Sequence, residues 1–152
     1  MVLVCVRRRR SRLTVVILRY LYVGSSDIER DIEIWSAAPG ATMRWRFQHF
    51  GADVAAIDLG SSPVVLLADH RPAGSVLPIY AVDDLEAAVV AMETAGWTVR
   101  ERSFGTPEGL ATLLGTEGGS EIAVLKVDRP TAMEDAYADG RNTHAVRSDA
   151  DR

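Results

Sequence analysis

The spacing of the apolar residues along the chain alternates between the periodicity of a β-strand and that of an α-helix. Residues 15–23 are β-branched and aromatic, which is typical of a strand. Ser26 and Glu29 then form a capping box, a pattern that predicts the start of a helix. The apolar residues of that helix recur at intervals of three to four: Ile28, Ile32 and Trp35. Three further strands are predicted after it, over residues 43–50, 53–59 and 64–68.

The same order of periods returns 57 residues later. Residues 76–82 again predict a strand, and Asp83 with Glu86 repeats the capping box. The apolar face of the second helix comprises Leu85, Ala88, Val89 and Met92. Further strands are predicted over residues 97–102, 110–114 and 121–127. The sequence therefore predicts one α+β domain over residues 15–127, built from two βαβββ modules at residues 15–70 and 75–127.

The predicted strand over residues 43–50 has two chemically different faces. Strict alternation places its apolar and aromatic members together: Met43, Trp45, Phe47 and His49. The opposite face then carries Arg44, Arg46 and Gln48. These polar residues either pair with an anionic ligand in a pocket or face water, and the pattern leaves both possibilities open.

Both ends of the chain lack a clear period. Residues 1–14 are predicted to be a disordered N-terminal extension. From Asp128 onward the chain is polar, so residues 128–152 are predicted to be a flexible tail with at most a short helix over residues 131–137.

The distribution of charge separates residues 1–15 from the rest of the chain. The net charge is −4 and 47% of the residues are hydrophobic, as in an ordinary globular protein. Residues 1–15 hold five arginines and no acid, so the remainder has 12 basic and 21 acidic residues, a net charge of −9. We therefore expect no nucleic-acid partner. The one cysteine, Cys5, cannot form an internal disulfide, which indicates a reducing, cytoplasmic compartment, and no apolar stretch is long enough to span a membrane.

The order and spacing of these motifs resemble a known superfamily. The resemblance is carried by Tyr22, Asp27 and Trp35 in the first module, and by residues 77–88, 96–97, 104–109 and 118–124 in the second. In this order they are similar to the vicinal oxygen chelate superfamily of glyoxalases, bleomycin resistance proteins and extradiol dioxygenases. The resemblance implies that the two modules form a curved mixed sheet with a central cup.

The resemblance also implies where metal-using members hold their metal ion, namely on the first and last strands of each module. In this chain those positions are occupied by Tyr20, Leu66, Leu77 and Ala123. None of these is a normal ligand of a divalent metal, and an aliphatic side chain has no lone pair to donate. We therefore expect a member of the superfamily that lacks the usual metal ligands, with no bound metal and no cofactor.

The favoured hypothesis is a metal-independent binding protein similar to the bleomycin resistance proteins. It would sequester or sense a small aromatic or amphipathic molecule, and no catalytic residue is assigned. The predicted ligand-binding residues are Tyr20, Tyr22, Leu66, Leu77, Glu121 and Ala123. The resemblance also implies a homodimer.

Two alternatives remain open. The first is a metal-dependent lyase, isomerase or dioxygenase whose ligands have moved to residues such as His49, His70 and Glu121. The second is a dimeric scaffold without a ligand, which would require a fully packed cup.

Overall fold

Strands dominate the computed structural model, which describes residues 16–148. Within that range the strands are β1 (Val16–Gly24), β2 (Thr42–His49), β3 (Ala52–Asp58), β4 (Val64–Ala68), β5 (Val76–Val82), β6 (Thr98–Gly105), β7 (Gly109–Gly115) and β8 (Glu121–Val127). The helices are α1 (Ile28–Ser36), α2 (Leu85–Thr94) and α3 (Ala132–Ala138). The predicted fold class, α+β with two βαβββ modules, is confirmed. None of these helices has the length and apolar character needed to cross a membrane. The predicted disordered extension, residues 1–14, lies outside the described residues.

The eight described strands form one mixed sheet in the order β2-β3-β4-β1-β5-β8-β7-β6. The first strands of the two modules, β1 and β5, lie antiparallel at its centre. Each of them pairs in parallel with the last strand of its own module, β4 or β8. The sheet is therefore continuous across the module boundary, and the two modules lie side by side in it, joined by the pairing of β1 with β5.

The sequence repeat is also a repeat of strand register. Phe47 lies opposite Val54 in the first module, and Phe104 lies opposite Ala111 in the second, each 57 residues later. The parallel pairs agree as well, since Leu66 pairs with Tyr22 and its equivalent Ala123 pairs with Ile79. The two modules thus present side chains to the same side of the sheet at equivalent places.

Both long helices cover one face of the sheet. α1 packs on a buried cluster that includes Ile57 and Leu67, and α2 packs on one that includes Leu114 and Val124. The helices begin where the sequence predicts, but their N-caps are Asp27 and Asp84, one residue after the predicted caps. Each carboxylate accepts a hydrogen bond from the backbone N–H three residues later, at 3.1 Å in α1 and 3.0 Å in α2. In α1 an anionic cap suits the positive end of the helix dipole, which favours Asp27 over Ser26, whereas in α2 the predicted and the observed cap are both aspartates.

A register shift in β2 divides its apolar residues between the two faces. The shift falls between Met43 and Trp45. Met43 packs with the cluster under α1, whereas Trp45 and Phe47 belong to the cluster on the opposite face. The prediction of a common face was therefore wrong for Met43, because a bulge adds one residue and reverses the alternation.

Arg46 lies on the helix-covered face and joins a buried ionic network. Its guanidinium donates to both carboxylate oxygens of Asp53, at 2.9 and 2.6 Å, and to Glu29 of α1 at 2.7 Å. Gln48 donates to the same Asp53 carboxylate at 2.8 Å. Arg44 pairs with a carboxylate of β3 and is half-exposed. The polar residues of β2 therefore serve to tie β2, β3 and α1 together.

The other face of the sheet is concave, and α3 packs beside β2 at one side of it. Met133 and Tyr137 of α3 pack against the cluster on this face. Beyond α3, the backbone N–H of Gln48 donates to His144 at 2.8 Å, and Val146 N–H donates to the carbonyl of Arg46 at 2.9 Å. The sequence predicts a flexible tail from residue 128, whereas residues 132–146 are packed here because the free edge of β2 offers backbone partners that no apolar period reveals.

Candidate functional site

The concave face of the sheet encloses a cup with a cavity of about 480 Å³. Its floor and walls come from strands of both modules, and its lining is mainly apolar. The aromatic part of the lining comprises Tyr20, Tyr22, Trp45, Phe47 and Phe104. A cavity of this volume is in the range of small-molecule sites. The scaffold hypothesis requires a packed cup, and the cavity does not agree with it.

Five of the six predicted ligand-binding residues line this cavity: Tyr20, Tyr22, Leu66, Leu77 and Ala123. Tyr22 lies between Leu66 and Leu77 in the sheet, because β1 pairs with both β4 and β5. Glu121 does not line the cavity, and its side chain is 45% exposed. Its carboxylate lies 3.7 Å from the guanidinium of Arg71, which does line the cup.

The residues at the expected metal positions do not fit a divalent metal ion, because they supply one phenol and three aliphatic side chains. The relocated ligands of the enzyme hypothesis are not brought together either. His70 Nε2 lies 3.0 Å from the hydroxyl of Tyr22, His49 packs against His144 with ring centres 3.9 Å apart, and Glu121 lies beside Arg71. Between residues 16 and 148, no group of three His, Cys, Asp or Glu side chains is placed to hold a metal ion.

A buried carboxylate, Glu108, closes one end of the cup. It is 4% exposed and accepts hydrogen bonds from Arg19 at 2.6 and 3.2 Å and from the hydroxyl of Tyr20 at 2.8 Å. Burial of the phenol and its hydrogen bond to Glu108 raise the pKa of Tyr20 above its ordinary value. A side chain at Gly109 would clash with the carbonyl of Lys126, whose oxygen lies 1.9 Å from the Cβ position, so this turn needs glycine.

Glu108 could not be identified as a site residue from the sequence, because its neighbours there indicate only a turn. Its partners Arg19 and Tyr20 are 89 and 88 residues away along the chain. The one available signal was its position between Pro107 and Gly109, in a segment that carries the superfamily resemblance.

The loop between β4 and β5 forms the opposite rim of the cup. Its close approach to β1 requires Gly24, since a Cβ there would lie 1.9 Å from the carbonyl oxygen of Pro72. Gly24 N–H donates to Ser75 at 2.9 Å, which fixes the loop further. This loop places Arg71 over the ring of Tyr22, with the guanidinium carbon 5.7 Å from the ring centre. Burial raises the pKa of Tyr22 to about 12, with a smaller opposing contribution from the charge of Arg71.

Comparison with known proteins supports the fold. No protein-family model matches the sequence, and no curated protein matches it. Among solved structures, a hypothetical protein from Bacillus halodurans has a TM-score of 0.64 and 10% identity, covering 75% of this chain and 96% of that chain. Methylmalonyl-CoA epimerase from Mycobacterium tuberculosis has a TM-score of 0.60 and 15% identity, covering 74% of this chain and 88% of that chain.

A third similar structure is Streptomyces coelicolor methylmalonyl-CoA epimerase in complex with 2-nitronate-propionyl-CoA. Its TM-score is 0.59 at 15% identity, with 74% of this chain and 94% of that chain covered. These neighbours have the vicinal oxygen chelate fold, so the fold that the resemblance implies is confirmed. At such low identity a shared fold does not carry a shared reaction.

Proposed function

We propose that this protein binds a small aromatic or amphipathic molecule in the cup without a metal ion. The observation that carries the proposal is the character of the cup. It is an open, mainly apolar cavity of about 480 Å³ whose expected metal positions hold Tyr20, Leu66, Leu77 and Ala123. In such a site the affinity comes from apolar burial and contact with aromatic rings.

The size of the cup sets the scale of the binding energy. Removing ~200 Å² of apolar ligand surface from water yields about 5 kcal/mol before the entropic cost of association is subtracted. Tyr20 and Tyr22 of β1 supply rings that can contact a flat ligand, while Leu66 of β4 and Ala123 of β8 extend the wall on either side of them. A ligand of two or three rings is the size class that this cavity suits.

The second candidate is the metal-dependent lyase, isomerase or dioxygenase with relocated ligands. Its support is the likeness to methylmalonyl-CoA epimerases, one of which is described in complex with methylmalonyl-CoA and NH4+. The separation of His49, His70 and Glu121 does not support it. Elemental analysis of the protein purified without chelators distinguishes the candidates, since about one metal ion per chain would favour the enzyme.

The binding proposal is tested with N-phenyl-1-naphthylamine, a neutral probe with a phenyl and a naphthyl ring whose fluorescence increases in apolar sites. We expect one probe per chain, measured by fluorescence with direct excitation of the probe. Leu113→Trp narrows the cup and should weaken binding at least tenfold. Leu110→Trp is the matched control, because Leu110 lies on the same strand but outside the cavity lining and is 48% exposed.

A wild-type protein that does not bind the probe would contradict the proposal. So would equal binding by the Leu113→Trp and Leu110→Trp variants, because the probe would then occupy some other apolar surface.

A further inference from the structure

Arg71 is the charged residue at the rim of the cup whose hydrogen-bonding capacity is least used. Its side chain is 23% exposed and lines the cavity. Its guanidinium lies over the ring of Tyr22, and the loop that carries it is held against β1 by the close contact at Gly24. The position of this cation is therefore fixed before any ligand arrives.

The donors of Arg71 are poorly matched by protein acceptors. Its Nε atom is buried and has no hydrogen-bond partner among the described residues. The carboxylate of Glu121 lies 3.7 Å from Nη2, which is beyond hydrogen-bond length, and the Glu121 side chain is 45% exposed. A buried donor without a partner is costly, so an oxyanion that reached Arg71 from the cup would be favoured.

The other charged groups of the cavity lining are arranged differently. Glu108 is paired through two hydrogen bonds with Arg19, which lies outside the cavity lining. Glu101 lies on the edge strand β6 and is exposed, so water can solvate its carboxylate. Among the described lining residues, Arg71 is thus the cation that has a buried donor without a partner, and its guanidinium is only weakly engaged by Glu121.

We propose that Arg71 binds the anionic group of an aromatic or amphipathic acid whose apolar part occupies the cup. This inference rests on the proposed function and names the class of its ligand, an organic carboxylate, sulfonate or phosphate. The planar guanidinium can offer two parallel N–H donors to such a group, which gives orientation as well as affinity. The rings of Tyr22 and Tyr20 would then contact the apolar part.

Two probes that differ by a single sulfonate group test this directly. N-phenyl-1-naphthylamine is neutral, and 8-anilinonaphthalene-1-sulfonate adds one sulfonate to the same ring system. We expect the sulfonate to bind the wild-type protein about tenfold more tightly at low ionic strength. Arg71→Gln should bring that ratio close to one, and the affinity of the same variant for the neutral probe serves as its reference.

Two control variants locate the effect. Arg30→Gln removes an exposed arginine from α1, on the other face of the sheet, and should leave the ratio unchanged. Glu121→Gln removes the competing carboxylate beside Arg71 and should increase the preference for the sulfonate.

The outcomes separate this inference from the proposed function. If neither probe binds, the proposed function fails, and the inference fails with it. If the neutral probe binds in the cup but the sulfonate has no advantage, the inference alone is overturned. A sulfonate preference that survives Arg71→Gln also overturns it, because the anion is then recognised elsewhere.

Discussion

The two modules have the same strand pairing, but the side chains that they place in the cup differ. Tyr20, Tyr22 and Leu66 of the first module correspond, 57 residues later, to Leu77, Ile79 and Ala123 of the second. Four of the five aromatic residues of the lining therefore come from the first module, and the second module contributes Phe104 and smaller aliphatic residues. The shared register fixes the shape of the site, and the divergence at equivalent positions creates room on one side and ring surface on the other.

The two outer strands of the sheet differ as well. β2 is covered by α3 and by the backbone contacts of residues 144–146. β6 has no such cover among the described residues, but it carries Arg100, Glu101 and Arg102 and two register shifts. Charges and bulges prevent an edge strand from pairing with another chain. The same edge problem is thus solved by covering in one module and by charge in the other.

The largest expected effect concerns the buried ionic network, which exists in only one module. Arg46 and Asp53 correspond to Ser103 and Leu110, so the second module has no equivalent pair. Asp53→Asn leaves the Arg46 charge buried with a weaker partner, and we expect a loss of about 3 kcal/mol in the free energy of unfolding. Urea denaturation measures it. Glu33→Gln, in the exposed pair with Arg30, should change stability by less than ~0.5 kcal/mol.

A loss below ~1 kcal/mol for Asp53→Asn would contradict this account. It would mean that solvent reaches the Arg46 guanidinium, and that the first module is held together by its apolar clusters alone.

The second largest loss of stability is expected for Glu108, a buried carboxylate that only the second module contributes to the cup. Its equivalent in the first module is Gly51, so the carboxylate has no counterpart. Glu108→Gln removes the negative charge that Arg19 faces while keeping the side chain's size, and we expect a loss of about 2 kcal/mol in unfolding free energy. Part of the Arg19 side chain reaches solvent, with 28% exposed, which is why the loss is smaller than for Asp53.

A double-mutant cycle sharpens the Glu108 prediction. Combining Glu108→Gln with Tyr20→Phe tests whether the phenol and the carboxylate act together, and a coupling of about 1 kcal/mol is expected. Additive effects would show that Arg19 alone holds the carboxylate in place.

Lowering the pH should reduce the unfolding free energy, because Asp53 in the first module becomes protonated. Burial alone would raise the pKa of Asp53, but the hydrogen bonds from Arg46 and Gln48 and the charge of Arg46 lower it below the usual value. A lowered folded-state pKa stabilises the protein above the unfolded-state pKa of about 4, and this stabilisation is lost as the pH falls through the folded-state value. The unfolding free energy of the wild type should therefore fall more steeply below about pH 4 than that of Asp53→Asn.

The pH profile of the variant should retain some slope, because the pKa of Asp58 is lowered too, first by its backbone hydrogen bond with Gly60. Parallel profiles for the wild type and Asp53→Asn would contradict the assignment to Asp53.

Much of the fold could be predicted because it depends on local periods. Strand alternation and helical spacing are visible within about ten residues, and their recurrence after 57 residues indicated two equivalent modules. The superfamily resemblance pointed to Tyr20, Leu77 and Ala123, the 57-residue offset added Leu66, and all four line the cup. What periodicity could not show was the bulge after Met43, because one inserted residue changes no composition.

The remaining parts of the site depend on contacts between distant segments. Glu108 and Arg71 lie in turns, where a charged residue usually indicates only solvent exposure. Their surroundings are set by the packing of those turns against β8 and β1, at Gly109 and Gly24. The covering of β2 by residues 144–146 is backbone pairing, which leaves almost no mark on the side chains that form it.

The smallest effect on stability is expected from making the two halves of the cup alike at one position, a change that should also weaken binding. Ala123 is 3% exposed, lies beside Ile79 and Leu113, and corresponds to Leu66 in the first module. Ala123→Leu adds three carbons that can enter the open cavity, so the unfolding free energy should change by less than ~1 kcal/mol. The affinity for N-phenyl-1-naphthylamine should fall at least fivefold, because the added side chain occupies ligand space.

Ala87→Leu makes the same change on the exposed side of α2 and should leave binding unaltered. If Ala123→Leu lowered the unfolding free energy by more than ~2 kcal/mol, Ala123 would be tightly packed and the open part of the cavity would lie elsewhere. If the affinity for the probe did not fall, the ligand would contact only the lining residues of the first module.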